Sequence, residues 1–330
     1  MVRRLSVSLS RRSLALLALA AAIGSPAFAQ DDPPAEEKKA EKKLVSDAAL
    51  EAAVRKELRL KEGDELNAEA LRNLFFLRAP KAGVKRLDGL EGCANLALID
   101  LSGNEIAALD PLAGLTRLQS VDLAGNAITS LDPLVKLTGL QYLKLDDNQI
   151  SDLGPLSEME RLSALYLKNN KVTNLGPLDG LARITSLDLA NNGVTDLGPL
   201  AGSKWLSAVT LSGNQIADLS PLARLTNLRF LILKNNQVAD LGPLVMAAEK
   251  DAAGEKRFAP YLQLDLAGNP LGENADAQIA ALRAAGVRVT VKEPEEEEPD
   301  DGGPGDEEPS GEDEEPRENA APDEPAPTDE

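Results

Sequence analysis

The sequence predicts an α/β solenoid: short parallel strands form a curved, concave sheet, and 3₁₀ or irregular segments return along a convex side. Three observations predict it. Asn recurs at 104, 126, 148, 170, 192, 214 and 236, a strict period of 22. Pro keeps the same period at 111, 133, 155, 177, 199, 221 and 243. Between them Leu, Ile and Val fill a fixed frame, L-x-x-L-x-L-x-x-N-x-I/V-x-x-L-x-P-L. A single match would mean little. Seven in register describe a coil that repeats and buries its apolar side only against its neighbours.

The elements follow in chain order. Residues 1–29 read as a secretory signal peptide. Arg3, Arg4, Arg11 and Arg12 precede an apolar run from Leu14 to Ile23, and Ala27-Phe28-Ala29 closes it. The run is shorter than the roughly 20 residues that span a bilayer, so no integral membrane span is expected in the mature chain. The pair Arg11-Arg12 resembles a twin-arginine signal, and the Sec and twin-arginine routes both remain open. Residues 30–43, "QDDPPAEEKKAEKK", read as a disordered linker.

Residues 44–89 are expected to form a helical N-terminal cap and a half repeat. Leu50, Val54 and Leu58 have helical spacing, and Ser46 or Asp47 can cap that helix. A second helical segment is expected over about 67–77. "GVKRLDGL" (83–90) then supplies the second half of a repeat, aligning Val84 and Leu87 with Ile106 and Leu109.

Residues 90–271 hold the repeats, seven of 22 residues and one longer. In "LQYLKLDDNQISDLGPL" (140–156), Leu140, Leu143 and Leu145 belong to a strand whose leucines point into the solenoid. Asn148 sits where the chain leaves the strand, and its amide suits backbone groups of its own and the adjacent coil. Pro155 fixes φ on the return side and removes a donor that has no partner. Too few residues remain for helical turns on that side, so 3₁₀ turns are expected. The whole column, Asn104, Asn126, Asn148, Asn170, Asn192, Asn214, Asn236 and Asn269, is read as a structural ladder. Cys93, the only cysteine, shares a column with Leu115, Leu137 and Met159 and is read as a small buried hydrophobe. Asn269 follows Asn236 by 33 residues. The 11 extra residues, at about 245–261, read as a longer convex helix and loop. Residues 272–292 are the expected C-terminal cap: a helix, a stop at Gly286 and a last strand. Residues 293–330 form an acidic tail with 19 Asp or Glu, one Arg and no run able to bury apolar surface.

This frame resembles the leucine-rich repeat, and its 22-residue length and "DL-x-PL" half resemble the internalin-type bacterial leucine-rich repeat proteins. The resemblance covers about residues 44–291. It implies a leucine-rich repeat horseshoe with capped ends, and a non-catalytic recognition role. It carries over no particular ligand, because the x positions vary freely within the frame.

Those x positions are the candidate binding surface. The x within L-x-x-L nearest the second Leu runs Leu98, Ser120, Tyr142, Ala164, Ser186, Ala208, Phe230, Gln263. The x within L-x-L runs Asp100, Asp122, Lys144, Tyr166, Asp188, Thr210, Ile232, Asp265. Most entries are small or acidic. Two clusters differ: Tyr142, Lys144, Asp146, Asp147, Tyr166 and Lys168 on adjacent strands, and Arg229, Phe230, Ile232 and Lys234 on one strand. Aromatics beside long cations have the composition of interface hot spots. Trp205 precedes a strand at the loop edge and reads as an edge anchor or, preferably, a local packing residue.

The chain has a net charge of −19. Residues 293–330 carry −18 of it, which leaves a nearly neutral body and no footprint for nucleic acid. No His, no nucleophile with a recognisable base, no metal-ligand spacing and no phosphate-binding Gly loop is present. An enzyme, a cofactor and a metal site are therefore not expected. The reading is an exported, monomeric module, periplasmic, secreted or at the cell surface, that binds a protein or peptide partner on its concave sheet. One alternative is an envelope-structural or cation-binding protein acting through the tail. Another is a cytosolic repeat protein resembling phosphatase regulators, which the export signal disfavours.

Overall fold

The computed structural model describes residues 43–292. The expected signal peptide, nearly all of the linker and the acidic tail lie outside the described residues. Leu44 opens the compact unit that contains all the elements below. Its chain turns ten times through one open parallel sheet in strictly sequential order. The strands are β1 (Phe76–Arg78), β2 (Leu98–Asp100), β3 (Ser120–Asp122), β4 (Tyr142–Lys144), β5 (Ala164–Tyr166), β6 (Ser186–Asp188), β7 (Ala208–Thr210), β8 (Phe230–Ile232), β9 (Gln263–Asp265) and β10 (Arg288–Thr290). Across the regular coils partners differ by 22 residues, as in Leu143 opposite Leu165. This is the leucine-rich repeat horseshoe.

Each strand is three residues long with its middle residue buried. The frame leucines behind it form one continuous core, from Val45 through Leu143, Leu165 and Leu187 to Val289. On the return side, five Pro residues occupy the middle of 3₁₀ turns, from Asp110–Leu112 to Gly198–Leu200. Cys93 is fully buried, and burial, reinforced by the charge of Glu91, pushes its thiol up to about 12.

The N-terminal end differs from the sequence expectation. Helix α1 (Ala48–Glu57) forms and is capped by Asp47, whose Oδ1 accepts from the amides of Ala49 and Leu50 at 2.9 and 3.0 Å. Its Oδ2 accepts from Lys85 and Arg86 amides, which ties the helix to the first coil. Helix α2, however, covers only Ala68–Arg72, and Phe76–Arg78 is a strand rather than the end of a helix over 67–77. It pairs Phe76 with Leu98 and Arg78 with Asp100. The segment 83–90 therefore completes a full coil instead of standing as a half repeat. Leu74 and Leu77, both buried, are three apart, a spacing that serves a helix and the L-x-x-L frame equally. Pairing with β2 decides in favour of the strand.

At the other end, the longer repeat replaces its 3₁₀ turn by helix α3 (Gly242–Ala253). Asp251 then accepts from the amides of Arg257, Phe258 and Ala259, and Phe258 plugs the core. Helix α4 (Ala275–Ala284) buries Ile279 and Leu282 over the last coil. Gly286, at φ +102°, reverses the chain into β10, where a side chain on that backbone would be strained and would crowd Pro260.

Candidate functional site

Two rows of side chains flank each strand. One lies at the turn that follows it and the other faces outward from the sheet. The asparagines occupy the turn. Asn170 is representative: its Oδ1 accepts from the Ile150 amide at 2.9 Å, and its Nδ2 donates to the carbonyls of Leu145 at 2.9 Å and Leu167 at 3.0 Å. Asn104, Asn126, Asn148, Asn192, Asn214, Asn236 and Asn269 make the same bridge between successive coils. Their amides are consumed by backbone, so this column has nothing left to offer a ligand.

The residue before each Asn has φ between 52° and 73°, the left-handed region: Gly103, Gly125, Asp147, Asn169, Asn191, Gly213, Asn235 and Gly268. Gly, Asn and Asp are the residues that tolerate it at least cost. Here the polar members bond in sequence. Asn191 Nδ2 donates to Asn169 Oδ1 at 2.7 Å, and Asn169 Nδ2 donates to Asp147 Oδ1. Asp147 thus belongs to the turn edge and stands apart from the outward cluster to which the sequence reading assigned it.

The outward rows contain the remaining candidates. Tyr142 on β4 and Tyr166 on β5 meet with ring centroids 5.5 Å apart and planes tilted by 45°. Lys144 lies opposite Tyr166, and Tyr166 opposite Asp188. Lys144 Nζ is 3.9 Å from Asp146 Oδ2, and the Lys168 amide donates to Asp146 Oδ1 at 2.8 Å. Burial raises the Asp146 carboxyl above its ordinary value. The charges of Asp188 and Asp147 add to that rise, while the Lys168 amide and Lys144 oppose it. Burial likewise raises Tyr142, reinforced by Asp122, Tyr166, Asp146 and Asp100. The result is a half-buried aromatic pair in an acidic surround with two lysines at its margin.

The second cluster is divided by the structure. Phe230, 47% exposed, and Ile232 face outward from β8, and Lys234 Nζ is 3.8 Å from Asp265 Oδ2. Arg229 precedes the strand, and its guanidinium lies over the Tyr261 ring, 5.0 Å from the centroid. Three strand spacings, about 14 Å, separate Phe230 from the β5 row. The floor between them is Ser186, Asp188, Ala208 and Thr210.

Sequence reasoning missed one place and preferred the wrong one of two readings at another. Phe76, half exposed, extends the outward row beyond Leu98, with the Arg78 guanidinium 5.8 Å from its ring centroid. Counting back 22 from Leu98 reaches Phe76 and was the available signal. Trp205 is 62% exposed, so it is not a packing residue. Its column holds Arg161 and Arg183 in the two preceding coils, a sign of solvent rather than core.

Known proteins share this architecture. A family model for leucine-rich repeats (two copies) matches residues 116–158, 160–202 and 204–245. The solved structure of internalin C2 from Listeria monocytogenes is 35% identical with a TM-score of 0.59, over 61% of this chain and 89% of that one. The functional domain of InlJ from the same organism is 20% identical with a TM-score of 0.59, over 76% of this chain and 62% of that one. A leucine-rich repeat protein from Leptospira interrogans is 21% identical with a TM-score of 0.51, over 62% and 57%. These last two show the fold alone. Among curated protein sequences none has significant similarity to the chain.

Proposed function

The chain belongs to the internalin-like bacterial leucine-rich repeat proteins, and on that premise we propose that it is an exported, non-catalytic recognition protein that holds a protein or peptide partner against its concave sheet. The repeats make it a protein-interaction module. The finer reading draws its support from one observation, the Tyr142–Tyr166 pair. Two aromatics on adjacent strands, 5.5 Å apart, stand on a sheet whose other outward residues are mostly small or acidic. Such a pair presents rigid apolar area at little cost in side-chain entropy. Lys144 and Lys168 add charge at its margin, and Phe230 with Ile232 supplies a second anchor. Export rests on the signal-like residues 1–29 and is tested by N-terminal sequencing of the protein from the extracytoplasmic fraction. Protein found only in the cytoplasmic fraction, with residues 1–29 intact, would contradict it.

The concave reading is tested with Tyr142→Ala, Tyr166→Ala and Phe230→Ala in full-length protein used as bait against extracytoplasmic extract. The expected result is that a partner captured by the parent chain is lost, while the unfolding temperature stays within a degree or two. Unaltered capture would overturn the assignment.

A further inference from the structure

The coil has a third side, the edge from which the chain enters each strand. There a groove of about 730 Å³ runs across four successive coils, beside Trp205, Arg183, Arg161 and Glu160. Its floor is fixed by hydroxyls that bond backward by one coil: Ser163 Oγ donates to the Gln141 carbonyl at 2.9 Å, and Thr185 Oγ1 to the Ser163 carbonyl at 3.0 Å. Arg161 and Arg183 stand 22 residues apart in the same column as Trp205, and Gly139 leaves that column without a side chain at the far end. Among the described residues neither guanidinium has a carboxylate partner. Arg117, farther along the same column, is engaged with Asn95 at 2.7 Å.

We propose that this edge groove is a docking site for the chain's own acidic segment, residues 293–330. Charge selects the groove. The concave face carries Asp100, Asp122, Asp146, Asp188 and Asp265, with Lys144 and Lys234 each beside a carboxylate, and the convex turns carry an Asp in most coils, so both suit a strongly anionic chain less well. The entry edge offers two unengaged guanidiniums against one Glu. Composition selects the aromatic. The segment places Pro at 294, 299, 304 and 309 among runs of Asp and Glu. Pro-rich chains favour an extended, pre-ordered backbone that packs on exposed aromatic rings. Length permits the contact: the 38 residues after Lys292 reach on the order of 120 Å when extended. The groove, level with β4 to β7, lies only about 14–29 Å from β10 by strand spacing. Docking at the edge leaves the concave sheet uncovered, so the proposal stands independently of the partner surface described above.

The chain provides its own reporter. Trp205 is the only Trp. Cys93 is the only Cys and is buried with its thiol pushed up to about 12, so Ser310→Cys can be labelled selectively in the native full-length chain. Energy transfer from Trp205 to a dansyl-type acceptor at position 310 reads the contact. Transfer should fall at least twofold when salt rises from about 0.02 to about 0.5 M, where screening shortens from roughly 20 to 4 Å. The pair Arg161→Gln and Arg183→Gln should produce the same fall at low salt with an unchanged melting temperature. Transfer should also be independent of protein dilution. Transfer insensitive to both salt and the arginine substitutions would overturn the proposal. Transfer that is lost on dilution would also overturn it, by assigning the contact to a second copy.

Discussion

Asn170 and Tyr166 lie four residues apart in one coil, and their surroundings differ in kind. Asn170 is buried and spends its whole amide on backbone of its own and the preceding coil. Tyr166 faces outward, its ring touches Tyr142, and its side chain bonds no backbone group among the described residues. Neighbouring acids separate in the same way. Asp147 is fixed in a left-handed turn and accepts from Asn169, whereas Asp146 faces the open side beside Lys144. In a coil of constant period, place in the 22-residue frame decides what a polar residue does, and residue type follows from place. The turn column stabilises; the outward columns are free to recognise.

The comparison can be broken most forcefully at the turn. Asn170→Ala should cost about 3 kcal/mol or more, because it strands a buried amide and two buried carbonyls at once. Thermal or urea unfolding measures it. A loss below about 1 kcal/mol would place the ladder on the free side of the divide. Asp47→Ala should cost about 1–2 kcal/mol through the lost helix cap. Asp47 also adds a pH signature. Burial alone raises its pKa, but amides of Lys85, Leu50, Arg86 and Ala49 together hold it below the ordinary value. Its contribution is therefore present above the unfolded carboxylate range, near 4, and fades as pH falls through the lower folded value.

The outward residues should respond far less. Tyr142→Ala with Tyr166→Ala should change unfolding by about 1 kcal/mol at most, since half-exposed positions make few buried contacts. Asp146→Asn sharpens the contrast by sign. The folded state raises this carboxyl, so its charge is a burden above the folded pKa and none below the unfolded one. The substitution keeps an oxygen for the Lys168 amide. It should raise stability by a few tenths of a kcal/mol at pH 7, and the gain should disappear as pH falls below about 4. Melting curves of Asp47→Ala and Asp146→Asn between those pH values should move in opposite directions relative to the parent chain.

The repeating frame was readable because every column is sampled seven times, and the internalin-like family and horseshoe fold follow from it. The end coil was harder. Leu74 and Leu77 satisfy helix and strand spacing alike, and only pairing with Leu98–Asp100 separates the two. The outward aromatics were visible as departures from small and acidic columns, but their partners were not. Arg229 meets Tyr261 only because the longer repeat, with Asn269 at 33 residues instead of 22, brings that ring alongside. At Trp205 the packing reading fails and the edge reading fits its exposure: a lone large apolar residue suggests packing, but its column of Arg161 and Arg183 marks solvent. Asp147 was read by proximity to its neighbours, and left-handed φ, a property of backbone, decided its place.

Photo-crosslinking tests the division between frame and surface most directly. A benzoylphenylalanine is placed in turn at positions 142 and 166 on the concave sheet and at 135 on the convex turn, where Val135 is 47% exposed. Each full-length variant is irradiated in the extracytoplasmic fraction, and the adducts are identified by mass spectrometry. The account predicts one common adduct from 142 and 166 and none of it from 135. That adduct formed from 135, and absent at both concave positions, would contradict it.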